Sequence, residues 1–232
     1  MTRFFLCLFL SLASGVVRAQ ESWQAVLGLM PLVASPAQLS QTNCVGLLLH
    51  SFQSNHTVKA LIFMPGATDE LYLFHRVRAN LTNASPSLLD AVNSLTAQTQ
   101  IRASFRPPLL LLHTDEDPLE PLIDVRNPPT ADRLKQARFV PHVCYEDRDW
   151  DFVQPVLRWT LKLDVRPWQY RPDSWHFYRH SIAAWGLSGW EALEAIALAG
   201  KSRFTVDRKK VTFSVDTRIR ARPKLDGIPL PH

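Results

Sequence analysis

Apolar positions along this chain recur with two periods, three to four residues and two. In "SPSLLDAVNSLTAQT" (85–99), Leu88, Leu89, Val92 and Leu95 share one helical face, with Ser85 as the expected N-cap and Pro86 in the first turn. Two alternating runs follow, "IRASFR" (101–106) and "LLLLHTD" (109–115), separated by Pro107-Pro108, and these predict two strands. The second half repeats the sequence of patterns. "SGWEALEAIALAGKS" (188–202) sets Trp190, Leu193, Ile196 and Ala197 on one face, between a Ser188 cap and a Gly200 stop. "RFTVD" (203–207) and "VTFSVD" (211–216) are then strand-like around a basic turn.

Each of these helices is preceded by a predicted strand, at 70–81 and 174–187. Further upstream lie two helix-like runs, "QLSQTNCVGLLLHSF" (38–52) and "DWDFVQPVLRWTL" (149–161), followed by the strands "VKALIFM" and "KLDV". Pro155 is early enough in its run to be tolerated near a first turn. The order α-β-β-α-β-β therefore occurs twice, with Leu89 matching Leu193 at an offset of about 104 residues. The expected fold class is α+β: two tandem small modules at 20–115 and 141–217, a charged, proline-containing linker at 116–140 and a basic tail at 218–232.

The segment "IAAWGLSGWEALEAIALAGKSRFTVDRKKVTFSVD" (182–216) resembles the short N-terminal domain shared by secretins and TonB-dependent receptors. The likeness covers about 35 residues, and its motif is of moderate specificity because many β-α-β-β modules share this period. The first half fits less well, with Gln98-Thr99-Gln100 where the glycine of the pattern falls. No secretin channel or receptor barrel follows the segment. The resemblance implies a module that makes protein contacts in the cell envelope.

Residues 1–19 are expected to be a cleaved signal peptide. Arg3 supplies the positive start, Phe4 to Ala13 an apolar run too short to span a bilayer, and Val17 and Ala19 the small positions before cleavage at Gln20. An N-terminal membrane anchor is the alternative, and no later segment is long enough to span. The formal charge of +5 falls to +3 once Arg3 and Arg18 are gone, too mild for a nucleic-acid partner. Apolar content of 46% and charged content of 20% are those of a globular chain. Export leaves Cys44 and Cys144, either as one disulfide or as two separate thiols.

Candidate chemistry is sparse. His113 and the acidic run Asp115–Asp117 end an apolar strand as a hydrolase triad acid does, but no G-x-S-x-G elbow precedes them. "SVDTR" at the same place in the second half favours a strand end and linker polarity. His176 and His180, with His142 and Cys144, could supply metal ligands only by converging, and neither CxxC nor HExxH occurs. Exposed strand histidines are the simpler expectation, and no cofactor is implied. Six of the seven tryptophans lie between 150 and 190. Trp150, Trp159 and Trp190 fall at apolar helix positions, while Trp168, Tyr170 and Trp175, around a proline-bearing loop, are candidates for an exposed binding surface. Lys201, Arg203, Arg208, Lys209, Lys210, Arg218, Arg220, Arg222 and Lys224 are expected to face solvent and guard a terminal hairpin. The function expected is a non-catalytic envelope protein acting through protein contact. A secreted hydrolase or metal-dependent enzyme, and carbohydrate binding through the tryptophans, are the alternatives.

Overall fold

A computed structural model describes residues 23–33, 44–64, 81, 85–115, 117–139, 141–167 and 180–218. The protein is α+β. Residues 23–29 form α1, and the remaining helices are α2 (Cys44–Ser51), α3 (Leu88–Gln98), α4 (Pro128–Gln136), α5 (Trp150–Leu161) and α6 (Gly189–Ala199). The strands are β1 (Ala60–Met64), β2 (Arg102–Arg106), β3 (Leu109–His113), β4 (Ile123–Val125), β5 (Val143–Arg148), β6 (Asp164–Pro167), β7 (His180–Ala184), β8 (Ser202–Val206) and β9 (Lys210–Val215). Among the described residues no helix is long and apolar enough to cross a membrane.

Local signals explain the main helices. α6 starts at Ser188 with a reciprocal capping box to Glu191 and stops at Gly200. α3 has the same box, but Ser87 caps it rather than the expected Ser85, because Asp90 stands three residues after Ser87 and returns its carboxylate to the Ser87 N–H at 2.8 Å. Pro155 lies inside α5, whose cap is Asp149, so the proline falls one turn further in than a first-turn position.

Two sheets form, in the orders β2-β3-β1-β7-β5 (sheet 1) and β4-β8-β9-β6 (sheet 2). One connection occurs in each half. β1 runs parallel to β3, which is antiparallel to β2; β6 runs parallel to β9, which is antiparallel to β8. The halves do not close as separate modules, however. β7 and β5 of the second half extend sheet 1, with Ala60 paired to Ala184 and Tyr145 to Ile182. Nor is 116–140 a bare linker, since it holds β4 and α4, whose Asn127 side chain caps the helix before Pro128-Pro129.

Burial follows from this sharing. Leu61, Phe63, Leu110, Leu112 and Ala183 face α1–α3, while Ala60, Ile62, Met64, Leu109, Leu111 and Ile182 face α4–α6. β1, β3 and β7 are consequently buried along their whole length, as strands covered on both faces are. Phe204, Val206, Val211 and Phe213 of sheet 2 close the same core from the far side of α4–α6. The layers run helices, sheet 1, helices, sheet 2. The outer face of sheet 2 carries Arg166, Arg203, Thr205, Thr212 and Ser214, half-buried or exposed.

Candidate functional site

The acidic turn after β3 is a structural joint. Asp117 is 8% exposed, and its Oδ2 accepts from the Thr114 N–H at 2.9 Å and the Thr114 hydroxyl at 3.0 Å. Its Oδ1 accepts from Nζ of Lys201, which is 5% exposed. Lys201 follows the α6 stop in a left-handed conformation (φ 49°), and its carbonyl accepts from the Asp216 N–H at 3.2 Å. Lys201, expected to face solvent, is instead buried and ties the second half to the turn of the first. A buried carboxylate held by three donors is an anchor, and removing it would take a charge-assisted bond from a buried lysine. Asp115 is exposed and bonds Arg102 Nε at 2.7 Å.

His113 is buried beside it. Its Nδ1 lies 2.7 Å from the Thr114 carbonyl and its Nε2 lies 2.7 Å from Ser104 Oγ. A carbonyl only accepts, so Nδ1 carries the proton and Nε2 accepts from the serine. A hydroxyl bonded to an imidazole is the start of a nucleophile–base pair. What such chemistry further needs is a space above the hydroxyl and donors for a developing oxyanion. Two cavities among the described residues lie elsewhere. One, of about 10 Å³, is an apolar void bounded by Phe139, Tyr145, Leu157 and Ile196, with room for about one water at most. The other is an open groove of about 390 Å³ lined by His56, Thr57, Lys59, Phe105, Pro107, Pro108 and Glu191.

The remaining candidates disperse. His180 is fully buried rather than an exposed strand histidine, with Nδ1 3.3 Å from the Arg148 carbonyl, because both faces of β7 are covered. The ring also packs against Trp150 at 5.9 Å. His142 stacks on Trp185 at 4.3 Å between centroids, and burial lowers its pKa. Cys144 is a free thiol, 3.7 Å from His50 Nδ1. Burial, then the neighbouring Glu146 carboxylate, raises its pKa and keeps it a poor nucleophile. Among the described residues no three His, Cys, Asp or Glu side chains converge on a metal position.

Trp150 is core, 4.9 Å from the Phe213 ring, and Trp190 packs edge-on to Phe204 at 5.6 Å. Trp159 is 80% exposed instead of buried, since Val153, Leu157 and Leu161 define the inward stripe of α5 and Trp159 points away from it. Trp168, Tyr170, Trp175 and His176 lie outside the described residues.

The sheet edges differ in how well they are closed, a property that residue patterns did not disclose. β4 has only three residues, and β5 has an irregularity between Tyr145 and Arg148. At β6 the Asp164 N–H donates inward to the Lys209 carbonyl, so Val165 and Pro167 face outward. The Val165 carbonyl is already taken by the Gln154 amide at 2.6 Å, and Pro167 has no N–H to offer. β2 has none of these devices: five residues in continuous register with β3, free of proline and bulge. Compared with known proteins, the chain matches no family model, no curated protein and no solved structure.

Proposed function

We propose that the chain is an exported, non-catalytic cell-envelope protein that works by binding another protein, as the likeness of 182–216 to the secretin and TonB-receptor short domain implies. The observation that carries this reading is the edge of β2, regular and without a further strand among the described residues, on a sheet whose inner strands are buried on both faces. The side chains first in line for chemistry support it too, because Asp117, Lys201 and His180 are taken up in internal bonds. Fractionation of expressing cells should place the protein outside the cytoplasm with Gln20 as its first residue. Affinity capture from envelope extract should recover one protein with wild type, and lose it with either Ala103→Pro or the Trp168→Ala/Trp175→Ala pair. A cytoplasmic chain, or capture that none of these substitutions alters, would refute it.

One observation favours a second reading, a hydrolase: the 2.7 Å bond from Ser104 to His113. A fluorophosphonate probe decides it. Labelling that disappears in Ser104→Ala would establish a reactive serine, and its absence in wild type would remove the enzyme.

A further inference from the structure

Sheets 1 and 2 share a three-strand path, yet among the described residues one edge of it is filled in sheet 2 alone. β4 lies parallel on β8, where the Phe204 N–H donates to the Leu122 carbonyl at 3.1 Å and the Arg126 N–H to the Val206 carbonyl at 2.9 Å. β2 stands where β8 stands: Ala103 opposes Leu112 and Phe105 opposes Leu110, as Phe204 opposes Phe213 and Val206 opposes Val211. By that register the backbone N–H and C=O groups of Ala103 and Phe105 point out of the open edge. We propose that the β2 edge takes, in parallel, an extended segment of a partner protein that alternates apolar, acidic, apolar. This deepens the contact reading above and rests on it.

The chemistry of the segment follows from the faces it would continue. Ala103 and Phe105 are half-buried against the α1–α3 core, so residues beside them must be apolar. Ser104 lies on the other face between Arg102 and Arg106. Arg102, exposed, bonds Asp115 at 2.7 Å, and Arg106, bonded to Glu194 at 3.0 Å, retains a buried Nη1 without a partner. A carboxylate beside Ser104 would sit between the two guanidinium groups. β4 itself has this pattern, Ile123-Asp124-Val125, opposite Phe204, Thr205 and Val206. At the Phe105 end the 390 Å³ groove gives the segment room to leave the edge.

Two other occupants fit less well. A second copy pairing β2 antiparallel about Ser104 would set Arg102 against Arg106, like charges face to face. The chain's own counterpart of β4 is found by spacing. Pro31 bridges Ser87 as Arg138 bridges Ser188, an offset of 138 − 31 = 107, and 107 before Ile123–Val125 is 16–18. Those residues belong to the leader that export would remove.

The probe is a synthetic peptide of the Leu119–Asn127 sequence, LEPLIDVRN, added to the exported chain and followed by fluorescence anisotropy and amide hydrogen exchange. The expected result is saturable binding, with exchange at the Ala103 and Phe105 amides slowed by about tenfold or more. A peptide with lysine in place of its aspartate should bind about fivefold more weakly. Peptide N-methylated at its aspartate and arginine should not bind, a control that leaves the protein untouched. Ala103→Pro, which deletes an outward N–H, should lose about tenfold in affinity. Unchanged exchange at Ala103 and Phe105, equal binding of the N-methylated peptide, or amides already protected in the free chain would each overturn the proposal. Protection confined to 168–178 would overturn it while leaving the contact reading standing.

Discussion

Two sheets in this molecule share a path and differ in one face. Leu110 and Leu112 of β3 correspond to Val211 and Phe213 of β9, and all four are buried against the helices of their own half. The alternate residues diverge. Leu109, Leu111 and His113 are buried, whereas their counterparts Lys210, Thr212 and Ser214 are exposed or half-buried. Ala60 and Ile62 of β1 likewise face Asp164 and Arg166 of β6 in the comparison. The inner faces carry the information for the path. The outer faces decide whether another layer can be stacked: sheet 1 receives α4–α6, and sheet 2, polar outside, ends the stack of described elements as a capping repeat does.

Substitutions that exchange residues between the two outer faces test this most directly. Ile62→Arg, which copies Arg166 into sheet 1, buries a charge with no partner and should cost more than about 4 kcal/mol, seen as loss of a cooperative urea transition. The joint between the halves comes next. Asp117→Ala should cost about 3–5 kcal/mol because the buried Lys201 loses its carboxylate, and the double variant Asp117→Leu/Lys201→Met should recover most of it. Leu111→Thr, copying Thr212, should cost about 2–3 kcal/mol by losing apolar burial and enclosing a hydroxyl.

A pH-dependent margin is smaller. Burial raises the Tyr145 pKa from 10.0 to about 12, while the unfolded chain keeps the ordinary value. Below pH 10 both states hold the proton and the contribution is complete; between 10 and 12 the unfolded chain ionises first, so stability falls as pH rises. Spectrophotometric titration should show one of the four tyrosines ionising late, and Tyr145→Phe should remove that step. The smallest effect is the reverse exchange. Thr212→Leu on the solvent face of sheet 2 should stay within about 0.5 kcal/mol in the same urea assay; a loss comparable with Leu111→Thr would end the distinction between the faces.

Much of the local structure was legible because its causes are local. Ser188, Glu191 and Gly200 announce the ends of α6 within the helix itself. Ser85 and Ser87 compete as caps, and the position of Asp90 decides between them. Residues 116–140 hid a strand and a helix because β4 is too short to show alternation, although Asn127 followed by two prolines is a helix start. Lys201 was not legible as a buried partner: its carboxylate stands 84 residues away, and a lysine after a helix stop ordinarily faces water. Nor was it visible that the outer edge of β2 has no strand beside it among the described residues, since which edge stays open depends on which strands arrive from elsewhere.

Spacing and capping alone determined the class, α+β, and such elements as α3, β2, β3, α6, β8 and β9, because these arise from contacts within a few turns of chain; the strand expected at 70–81 lies outside the described residues but for Leu81. Only the tertiary structure decided that β5 and β7 cross into the sheet of the other half, that Asp117 meets Lys201, and that the outer edge of β2 carries no strand among the described residues. Those outcomes depend on surfaces far apart in sequence, and burying the second face of sheet 1 is the physical reason they come together.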